Sequence, residues 1–358
     1  MTPATAPARR IPVAILGATG AVGQTFVRLL ANHPWFEVTE VAASERSAGK
    51  SYRDATHWLA GEMPERIADL TVAVCDPAQV SAPVVFSALD SDAAGEIEAA
   101  FARAGRTLLS NARNYRMDAD VPLLIPEVNP DHLGLLPVQQ SVRGWSGAIV
   151  TNSNCSTMVV ALALAPLHQA FGVRQLFVTT LQALSGAGYP GVPSLDILGN
   201  IIPFIGGGEE EKIESEPLKI LGRFERGAIT PAPMTVSAQV TRVAVEHGHT
   251  VCMSVKLATR ATPEDAVAAI RAWRGAVADL ALPSAPAVPV LVTMERDRPQ
   301  PRRDVNIGNG MTVVVGRVRT DPLLDLRLVA MGHNTIRGAA GASILNAELM
   351  VARGIIAR

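Results

Sequence analysis

The first 150 residues alternate short aliphatic runs with segments in which apolar residues recur at helical spacing. Ile11–Leu16 is a continuous aliphatic run of the kind that forms a strand buried on both faces. Further strands are predicted at 36–43, 72–75, 84–88, 107–110 and 122–125, and helices at 25–31 and 93–104. Strands that alternate with helices in this way predict an α/β fold with a doubly wound parallel sheet.

After residue 152 the pattern changes to longer strand-like runs with fewer helices between them. Strands are predicted at 176–184, 235–245, 250–258, 311–319 and 326–331. Such runs favour an antiparallel or mixed sheet in a second domain. The proline-rich segment 283–303 is predicted to be irregular, and apolar residues at helical spacing predict a final helix over 338–356.

Composition narrows the class of protein and partner. The 358 residues carry 32 Lys+Arg and 33 Asp+Glu, which argues against a broad nucleic-acid surface and an acidic tail. Apolar residues make up 48% and allow a sizeable core. No apolar run approaches the roughly 18 residues of a membrane span, and residues 1–10 are interpreted as a disordered tail rather than a secretory signal. Three cysteines do not form a disulfide framework, so we expect a cytoplasmic protein.

A glycine-rich turn joins the first strand to the first helix. Gly17, Gly20 and Gly23 let the backbone approach a pyrophosphate, which the positive end of the helix dipole also attracts. The GxxGxxG spacing differs from the commoner GxGxxG, so a tight turn without a ligand is the alternative. The predicted cofactor-binding residues of this turn are Gly17, Thr19, Gly20, Ala21, Val22 and Gly23.

The segment after the second strand indicates which dinucleotide binds. Ser44 and Ser47 offer hydroxyls, and Arg46 offers several donors, to a 2′-phosphate, which favours NADP. Glu45 is the acidic residue that an NAD site would use to bind the ribose 2′-hydroxyl. A solvated loop of mixed charge is a third interpretation. We predict NADP.

Cys155 lies among polar residues immediately before an apolar helical run. A thiol at a helix N-terminus is expected to have its thiolate favoured by the helix dipole, which makes it a better nucleophile. Asn154, Ser156 and nearby backbone N–H groups are candidates for an oxyanion hole. The alternative is a small buried hydrophobe, which suits Cys75 and Cys252 in predicted strands better.

A nucleophilic thiol needs a base, and the candidates are the histidines of His247-Gly248-His249 and His333. His249 follows Gly248 at the end of an apolar strand, a position suited to projecting a side chain into an active site. His247 and His249 are also spaced as a metal pair. No third cluster of His, Cys or Asp accompanies them in the sequence, so no metal is predicted.

Several sequence blocks, in order from Val13 to the final helix, together resemble the aspartate-semialdehyde dehydrogenase family, specifically its archaeal and fungal-type branch. The blocks are Gly17-Ala-Thr-Gly-Ala-Val-Gly23, Ser110-Asn-Ala-Arg-Asn-Tyr-Arg116, Ile125-Pro-Glu-Val-Asn129, Ser153-Asn-Cys-Ser-Thr157, Gln182-Ala-Leu-Ser-Gly-Ala-Gly188, Ile202-Pro-Phe-Ile-Gly-Gly-Gly-Glu-Glu-Glu-Lys212, Gly248-His-Thr250 and His333-Asn-Thr-Ile-Arg-Gly-Ala-Ala340. The resemblance implies a Rossmann-type domain over 11–153, a catalytic and dimerisation domain over 154–335, and a C-terminal helix over 336–358 that returns to the first domain. It also implies a homodimer or homotetramer.

The resemblance implies a reversible reaction in which aspartate 4-semialdehyde, phosphate and NADP⁺ give 4-aspartyl phosphate and NADPH. Cys155 is the implied nucleophile, which forms a thiohemiacetal and then a thioester. His249 is the implied acid/base, and Gln182 positions the substrate near the thiol. The other implied contacts are Asn154, Glu209, Lys212, Arg116 and Arg242 for substrate and phosphate, and Ser44, Arg46, Ser47, Ser185, Gly186 and Asn334 for the cofactor.

Within the substrate contacts, the resemblance assigns Arg242 to the α-carboxylate, Arg116 and Lys212 to phosphate, and Glu209 to the amino group. Three consecutive glutamates, 209–211, leave open which of them contacts the substrate. The chain departs from the family where Ala244 replaces a proline and where Glu246-His247 replaces an acidic or polar pair.

Other readings of the same residues remain. A related reductase that forms a semialdehyde from malonyl-CoA would keep Cys155, His249 and the glycine turn but would need room for coenzyme A. An N-acetyl-glutamyl-phosphate reductase is a more distant alternative, which also pairs a nucleophilic cysteine with a histidine. A catalytically silent NADP-binding protein would be expected to lack the cysteine or the histidine.

Overall fold

The computed structural model describes residues 9–357, so residues 1–8 of the predicted tail lie outside the described residues. The strands of the first half are β1 (Ile11–Leu16), β2 (Phe36–Ala43), β3 (Val72–Val74), β4 (Val84–Ser87), β5 (Thr107–Ser110) and β6 (Ala148–Thr151). Its helices are α1 (Ala21–Leu30), α2 (Tyr52–Ala55), α3 (Glu65–Ala68), α4 (Ser91–Arg103) and α5 (Leu136–Arg143), with a 3₁₀ turn at Pro130–Leu135.

These six strands form one parallel sheet in the order β3-β2-β1-β4-β5-β6. The predicted doubly wound sheet is confirmed. The order reverses direction between β1 and β4, and ligands of such sheets bind beyond the C-terminal ends of the strands at that reversal. The glycine turn follows β1 directly, and α1 begins at Ala21 rather than at the predicted residue 25.

The strand predicted at 122–125 is wrong. Only Leu123 bridges to Thr151, and the sixth strand of the sheet is β6, which the sequence pattern did not indicate. Side chains occupy the backbone groups that a longer ladder would need: Asn129 accepts a hydrogen bond from the Ile125 N–H and donates to the Leu123 carbonyl. The segment is therefore held as a buried loop.

The second half contains a mixed sheet and a separate two-stranded hairpin sheet of β8 and β9. The strands of this half are β7 (Val173–Gln182), β8 (Arg223–Glu225), β9 (Ala228–Thr230), β10 (Thr235–Arg242), β11 (His249–Leu257), β12 (Val290–Val292), β13 (Val313–Thr320) and β14 (Leu326–Gly332). Its helices are α6 (Cys155–Phe171), α7 (Ser194–Ile197), α8 (Glu209–Ile220), α9 (Pro263–Ala272), α10 (Pro301–Asp304) and α11 (Gly341–Ala352), with 3₁₀ turns at Leu184–Ala187, Ala278–Leu280 and Ile307–Gly310 and a π-helical turn at Ile336–Ala340.

The large sheet has the order β10-β7-β11-β14-β13-β12, with parallel pairs at its two edges and antiparallel pairs between them. The predicted mixed sheet is confirmed. The proline-rich segment 283–303 is less irregular than predicted, because it contains the edge strand β12 and the short helix α10. Prolines are tolerated beside an edge strand and at the first turn of a helix.

Two helices connect the domains. The apolar helix α6 is buried along most of its length and packs against the mixed sheet. The helix α11 returns to the first domain and shares its core, as predicted. The π-helical turn that precedes α11 carries Arg337, which makes a buried, two-point ion pair with Glu127 at 2.8 and 2.7 Å. Among residues 9–357, no helix is both long and apolar enough to cross a membrane.

Candidate active site

Cys155 and His249 are brought together by the junction of α6 and β11. Cys155 is the first residue of α6, and the side chain of Asn154 caps that helix by accepting hydrogen bonds from the backbone N–H groups of Ser156 and Thr157. His249 is the first residue of β11. Its Nε2 lies 3.1 Å from Sγ of Cys155. The sequence predicted Cys155 next to the start of a helix and His249 at the end of a strand; the structure confirms the helix start, whereas His249 is the first residue of the following strand.

The backbone fixes the tautomer of His249. The Ala183 N–H donates a hydrogen bond to Nδ1 at 3.0 Å, so the neutral ring carries its proton on Nε2, which faces the sulfur. Burial, the Arg242 charge and His333 together lower the pKa of His249 to about 3. His249 therefore meets the sulfur as a neutral hydrogen-bond donor.

Burial also sets the protonation of Cys155. It raises the pKa of the Cys155 thiol to about 12, and the nearby Glu209 carboxylate acts in the same direction. Arg116 and Arg242 lower it by smaller amounts. The Ser156 backbone N–H at the helix start also lowers the pKa, in the direction expected for a helix N-terminus, but the loss of hydration outweighs it and the thiol stays protonated.

The predicted oxyanion donors are mostly occupied. Asn154 Oδ1 accepts from the Ser156 N–H at 2.9 Å, and Asn154 Nδ2 donates to Glu209 at 2.8 Å. The N–H of Cys155, at the first helical position, has no intrahelical acceptor and is a candidate donor to a substrate oxygen. The Cys155 Cβ itself lies 2.7 Å from where a side chain at Gly338 would begin, so glycine is required there.

A cavity of about 520 Å³ opens at Cys155 between the two domains. It is lined by many of the predicted residues: Val22, Arg116, Asn154, Cys155, Gln182, Ser185, Gly186, Glu209, Lys212, Arg242 and Asn334. The loop after β5 contributes further lining residues that the sequence did not single out, Asn111 and Arg113. The sequence could have indicated both residues, because they follow the C-terminal end of β5, a parallel strand close to the point where the strand order reverses.

Glu209 is the glutamate of the 209–211 run that faces the cavity. Its carboxylate accepts hydrogen bonds from Asn154 Nδ2 at 2.8 Å, Gln182 Nε2 at 3.2 Å and Lys212 Nζ at 3.1 Å. Glu210 instead accepts from the backbone of β10, and Glu211 is exposed. The geometry therefore points to Glu209 with Lys212, the pair taken from the family pattern.

Arg116 is paired with a residue that sequence reasoning missed, Glu216. Arg116 Nη1 lies 2.9 Å from one oxygen of Glu216, whose other oxygen accepts from the Asn154 N–H at 2.6 Å. Glu216 lies seven residues after Glu209, on the same face of α8. A helix rich in Glu and Lys is usually exposed to solvent. Its sequence therefore did not indicate that Glu216 is buried, with only 1% of its surface exposed.

Arg242, the last residue of β10, lies beside His249. Its Nη1 donates to the Ala183 carbonyl at 2.7 Å. Both Arg242 Nη1 and the His249 ring lie within about 3 Å of the position that a Cβ on Gly186 would occupy. The Arg242 side chain is buried, and burial lowers its pKa. Within residues 9–357 Arg242 forms no ion pair, although the Glu209 charge acts on it, and a buried guanidinium of this kind is suited to a carboxylate of a ligand.

The glycine turn fits a dinucleotide phosphate. A Cβ on Gly17 would lie 2.6 Å from the Ala88 carbonyl, and one on Gly23 would lie 2.2 Å from the Gly17 carbonyl, so both positions exclude a side chain. A Cβ on Gly20 meets only one atom, at 3.5 Å, and would project into open space. Gly20 is the N-cap of α1 and no side chain caps the helix. The turn thus presents backbone N–H groups beside a space that no side chain fills, which is what a bound phosphate requires.

The remaining predicted cofactor residues lie in two places. Ser44, Arg46 and Ser47 are on the loop after β2, outside the cavity that holds Cys155. Ser185 and Asn334 line the cavity and are joined to each other, because Asn334 Nδ2 donates to Ser185 Oγ at 2.7 Å. Such an extended arrangement suits a long ligand that reaches from the second strand of the sheet to the thiol.

His247, one of the candidate bases, lies next to Ser185 and His333 rather than against the thiol. The Ser185 hydroxyl, which accepts from Asn334, lies 2.9 Å from Nδ1 of His247 and can donate to it. The His247 ring also stacks on His333 with a centroid separation of 4.9 Å. In the described part of the chain, no group of three or more His, Cys, Asp or Glu side chains is arranged to hold a metal ion.

Known proteins resemble this chain over nearly its whole length. A family model for the semialdehyde dehydrogenase NAD-binding domain matches residues 12–136, and one for the semialdehyde dehydrogenase dimerisation domain matches residues 164–337. The aspartate-semialdehyde dehydrogenase of Archaeoglobus fulgidus is 52% identical over 97% of this chain and 100% of its own length. The chain belongs to the aspartate-semialdehyde dehydrogenase family. The predicted family is confirmed.

Other members of the aspartate-semialdehyde dehydrogenase family support the predicted branch and fold. The enzyme of Schizosaccharomyces pombe is 49% identical over 96% of this chain and 99% of its own length. A crystal structure of aspartate-semialdehyde dehydrogenase with NADP from Candida albicans gives a TM-score of 0.89 at 45% identity, covering 97% of this chain and 100% of that chain. The crystal structure of an aspartate-semialdehyde dehydrogenase II from Vibrio cholerae, complexed with ASA, gives a TM-score of 0.75 at 26% identity. It covers 96% of this chain and 99% of that chain.

Proposed function

We propose that this chain catalyses the reversible, NADP-dependent conversion of 4-aspartyl phosphate to L-aspartate 4-semialdehyde and phosphate through a thioester on Cys155. Membership of the aspartate-semialdehyde dehydrogenase family supports the reaction, and the NADP-containing structural relative supports the cofactor. The observation that carries the mechanism is the 3.1 Å contact between Cys155 Sγ and His249 Nε2 in a cavity lined by arginines and a lysine.

In the oxidative direction, the sulfur of Cys155 attacks the aldehyde carbon, the carbon–oxygen double bond opens, and the thiol proton passes to that oxygen, which gives a thiohemiacetal on Cys155. NADP⁺ held by the glycine turn would supply the hydride acceptor; the thiohemiacetal carbon gives up hydride, its hydroxyl proton leaves to solvent, and a thioester remains on Cys155. Phosphate then attacks the acyl carbon, the carbon–sulfur bond breaks, and 4-aspartyl phosphate leaves while the cysteine is regenerated. The same steps in reverse reduce the acyl phosphate.

The residues around the thiol have distinct parts in this proposal. His249 supplies the donor half of the acid/base role: its Nε2–H stabilises the thiolate and then the oxygen of the tetrahedral adduct. Gln182 reaches the cavity from the end of β7 and orients the substrate beside Cys155. Asn154 holds Glu209 in place from the N-cap of α6.

The charged groups divide the substrate between them. Arg242, buried and adjacent to His249, binds the α-carboxylate, and Glu209 binds the amino group. Lys212 and Arg116 line the end of the cavity where phosphate enters. The anionic substrate and phosphate are thereby met by local positive charge within a chain whose net charge is -1.

The cofactor contacts complete the proposal. The α1 N-terminus and the turn of Gly17, Gly20 and Gly23, with Thr19, Ala21 and Val22, hold the pyrophosphate. Ser44, Arg46 and Ser47 bind the 2′-phosphate beyond β2. Ser185, Gly186 and Asn334 face the nicotinamide end, since they line the cavity close to Cys155.

We also propose a cytoplasmic homo-oligomer. The family model for a dimerisation domain covers residues 164–337. Large apolar side chains are exposed in one stretch of that domain, at Tyr189, Leu195, Leu198, Ile201 and Phe204. A soluble protein rarely leaves such a patch in water, so a second copy of this chain is its expected partner.

The test is to measure NADPH formation from aspartate 4-semialdehyde and NADP⁺ with and without phosphate, for the wild type and for Cys155→Ser. Phosphate-dependent turnover that Cys155→Ser abolishes supports the proposal. NADP⁺ binding without turnover would indicate a silent protein. Turnover that requires coenzyme A in place of phosphate would indicate the malonyl-CoA type of reductase, and either outcome would overturn the proposal.

A further inference from the structure

The cationic side chains of the cavity differ in how far they are already neutralised. Arg116 is bound by Glu216 at 2.9 Å and by the Asn111 carbonyl at 2.7 Å, and Lys212 is bound by Glu209 at 3.1 Å. Among residues 9–357, Arg113 and Arg242 line the same cavity and form no ion pair. A substrate that brings both a carboxylate and a phosphate needs two positive charges that are free to receive them.

Arg113 lines the cavity from the loop that follows β5. Its Nη1 donates to the Gly207 carbonyl at 2.8 Å, so the side chain spans from the first domain to the glycine turn before α8. Lys212 reaches the same turn, with Nζ 4.0 Å from the position that a Cβ on Gly207 would occupy. Arg113 Nη1 is 3.9 Å from the corresponding position on Gly208.

The two cations therefore flank one glycine turn whose lack of side chains leaves the space over it open. Gly207 and Gly208 both have positive φ, +76° and +70°, a conformation that side chains disfavour. Arg242 is set apart from this pair, because it lies beside His249 and Gly186. The carboxylate and the phosphate of one substrate are thus matched by separate free arginines.

We infer that Arg113 is a phosphate-binding residue that acts with Lys212 over the Gly207–Gly208 turn. The inference rests on the proposed function and names a residue outside the predicted set. Arg113 is exposed and bound by a single carbonyl, so its guanidinium can turn toward a phosphate and offer two parallel N–H groups. Arg116 remains a phosphate contact of the proposed function, and its bond to Glu216 also fixes the loop that carries Arg113.

The inference is tested by the kinetics of Arg113→Gln and Arg113→Lys in the oxidative direction, with Arg103→Gln as an exposed arginine control outside the cavity. Arg113→Gln is expected to raise KM for phosphate roughly 10- to 100-fold, the usual value of a charge-assisted hydrogen bond. KM for the semialdehyde and for NADP⁺ should stay within about twofold. Arg113→Lys should recover part of the phosphate affinity, and Arg103→Gln should match the wild type.

An unchanged KM for phosphate in Arg113→Gln would overturn the inference. So would a parallel rise in all three KM values with a lower melting temperature, because that is the result of a purely structural latch to Gly207. Phosphate binding to the Cys155→Ser variant, measured by calorimetry with and without the Arg113 substitution, gives the same comparison without turnover. If the wild type shows no phosphate dependence, the proposed function itself fails, which is a different result.

Discussion

Nε2 of His249 lies 3.1 Å from Sγ of Cys155, although 94 residues separate them in the chain. The contact joins the start of α6, which leaves the parallel sheet, to the start of β11 in the mixed sheet. The Ala183 N–H holds the other ring nitrogen, so the orientation of the imidazole is set by the backbone of the segment after β7. The chemistry of the site depends on this arrangement.

The thiol of Cys155 should ionise only at high pH in the substrate-free enzyme. Because burial raises its pKa to about 12, the thiolate fraction should rise about tenfold per pH unit below that value. The rate constant for inactivation by iodoacetamide should therefore increase continuously from pH 6 to pH 9. The measurement is best made in Cys252→Ser, since Cys252 is exposed. A plateau reached below pH 8 would show that the thiol ionises near neutrality instead.

His249 should contribute as a donor whose charge does not change in the working range. Because the pKa of His249 is lowered to about 3, its protonation should not shape kcat between pH 5 and 9. His249→Ala should lower kcat by about 10²- to 10³-fold, the usual cost of losing an oxyanion donor. His249→Asn, whose amide can donate, should keep more activity. A low-pH limb in the wild-type profile that disappears in His249→Asn would contradict the neutral donor.

Substitutions at two positions of the glycine turn should have different effects, one on folding and the other on cofactor binding. Gly23→Ala places a Cβ 2.2 Å from the Gly17 carbonyl, so it should lower the melting temperature and prevent a native turn. Gly20→Ala has only one atom at 3.5 Å and should fold normally. Its Cβ nevertheless enters the space beside the α1 N-terminus, so KM for NADP⁺ should rise about tenfold or more. Equal NADP⁺ affinity in Gly20→Ala and the wild type would remove the turn from the cofactor site.

The buried Glu127–Arg337 pair should be important for stability. Both side chains are at most 1% exposed, and Glu127→Gln leaves the guanidinium of Arg337 without a carboxylate. The free energy of unfolding should fall by about 3–5 kcal/mol, measured in urea. The exposed Arg53–Glu65 pair, at 2.7 Å, provides the control: Glu65→Gln should cost only about 0–1 kcal/mol. Similar losses in the two variants would show that burial does not strengthen the dependence on the pair.

The local pattern of apolar and polar residues was sufficient to predict most of the strands and helices. Aliphatic runs such as Ile11–Leu16 and Val84–Ser87 are strands because only a buried parallel sheet accommodates them, and the glycine turn marks where the first helix begins. The segment 122–125 has the same apolar character, yet the side chain of Asn129, a few residues downstream, takes the Ile125 N–H and the Leu123 carbonyl. The apolar pattern of 122–125 does not show whether a following asparagine binds the backbone in this way, so the strand prediction was wrong there.

The sequence could identify those site residues whose type is unusual in its local surroundings. Cys155 and His249 stand out because a thiol among polar residues and a histidine after glycine are unusual. Glu216 and Arg113 do not stand out, since a glutamate on a charged helix and an arginine in a loop are ordinary surface residues. Only packing shows that one is buried against Arg116 and that the other spans to Gly207. The pKa of Cys155 likewise depends on burial that the sequence does not state.

The most direct test of the mechanism is intact-protein mass spectrometry of the enzyme mixed with aspartate 4-semialdehyde and NADP⁺ in the absence of phosphate. An acyl adduct should accumulate in proportion to NADPH formed, map to Cys155, and disappear when phosphate is added. Cys155→Ser should give no adduct. NADPH formation with an unmodified Cys155, or an adduct on another residue, would contradict the thioester mechanism.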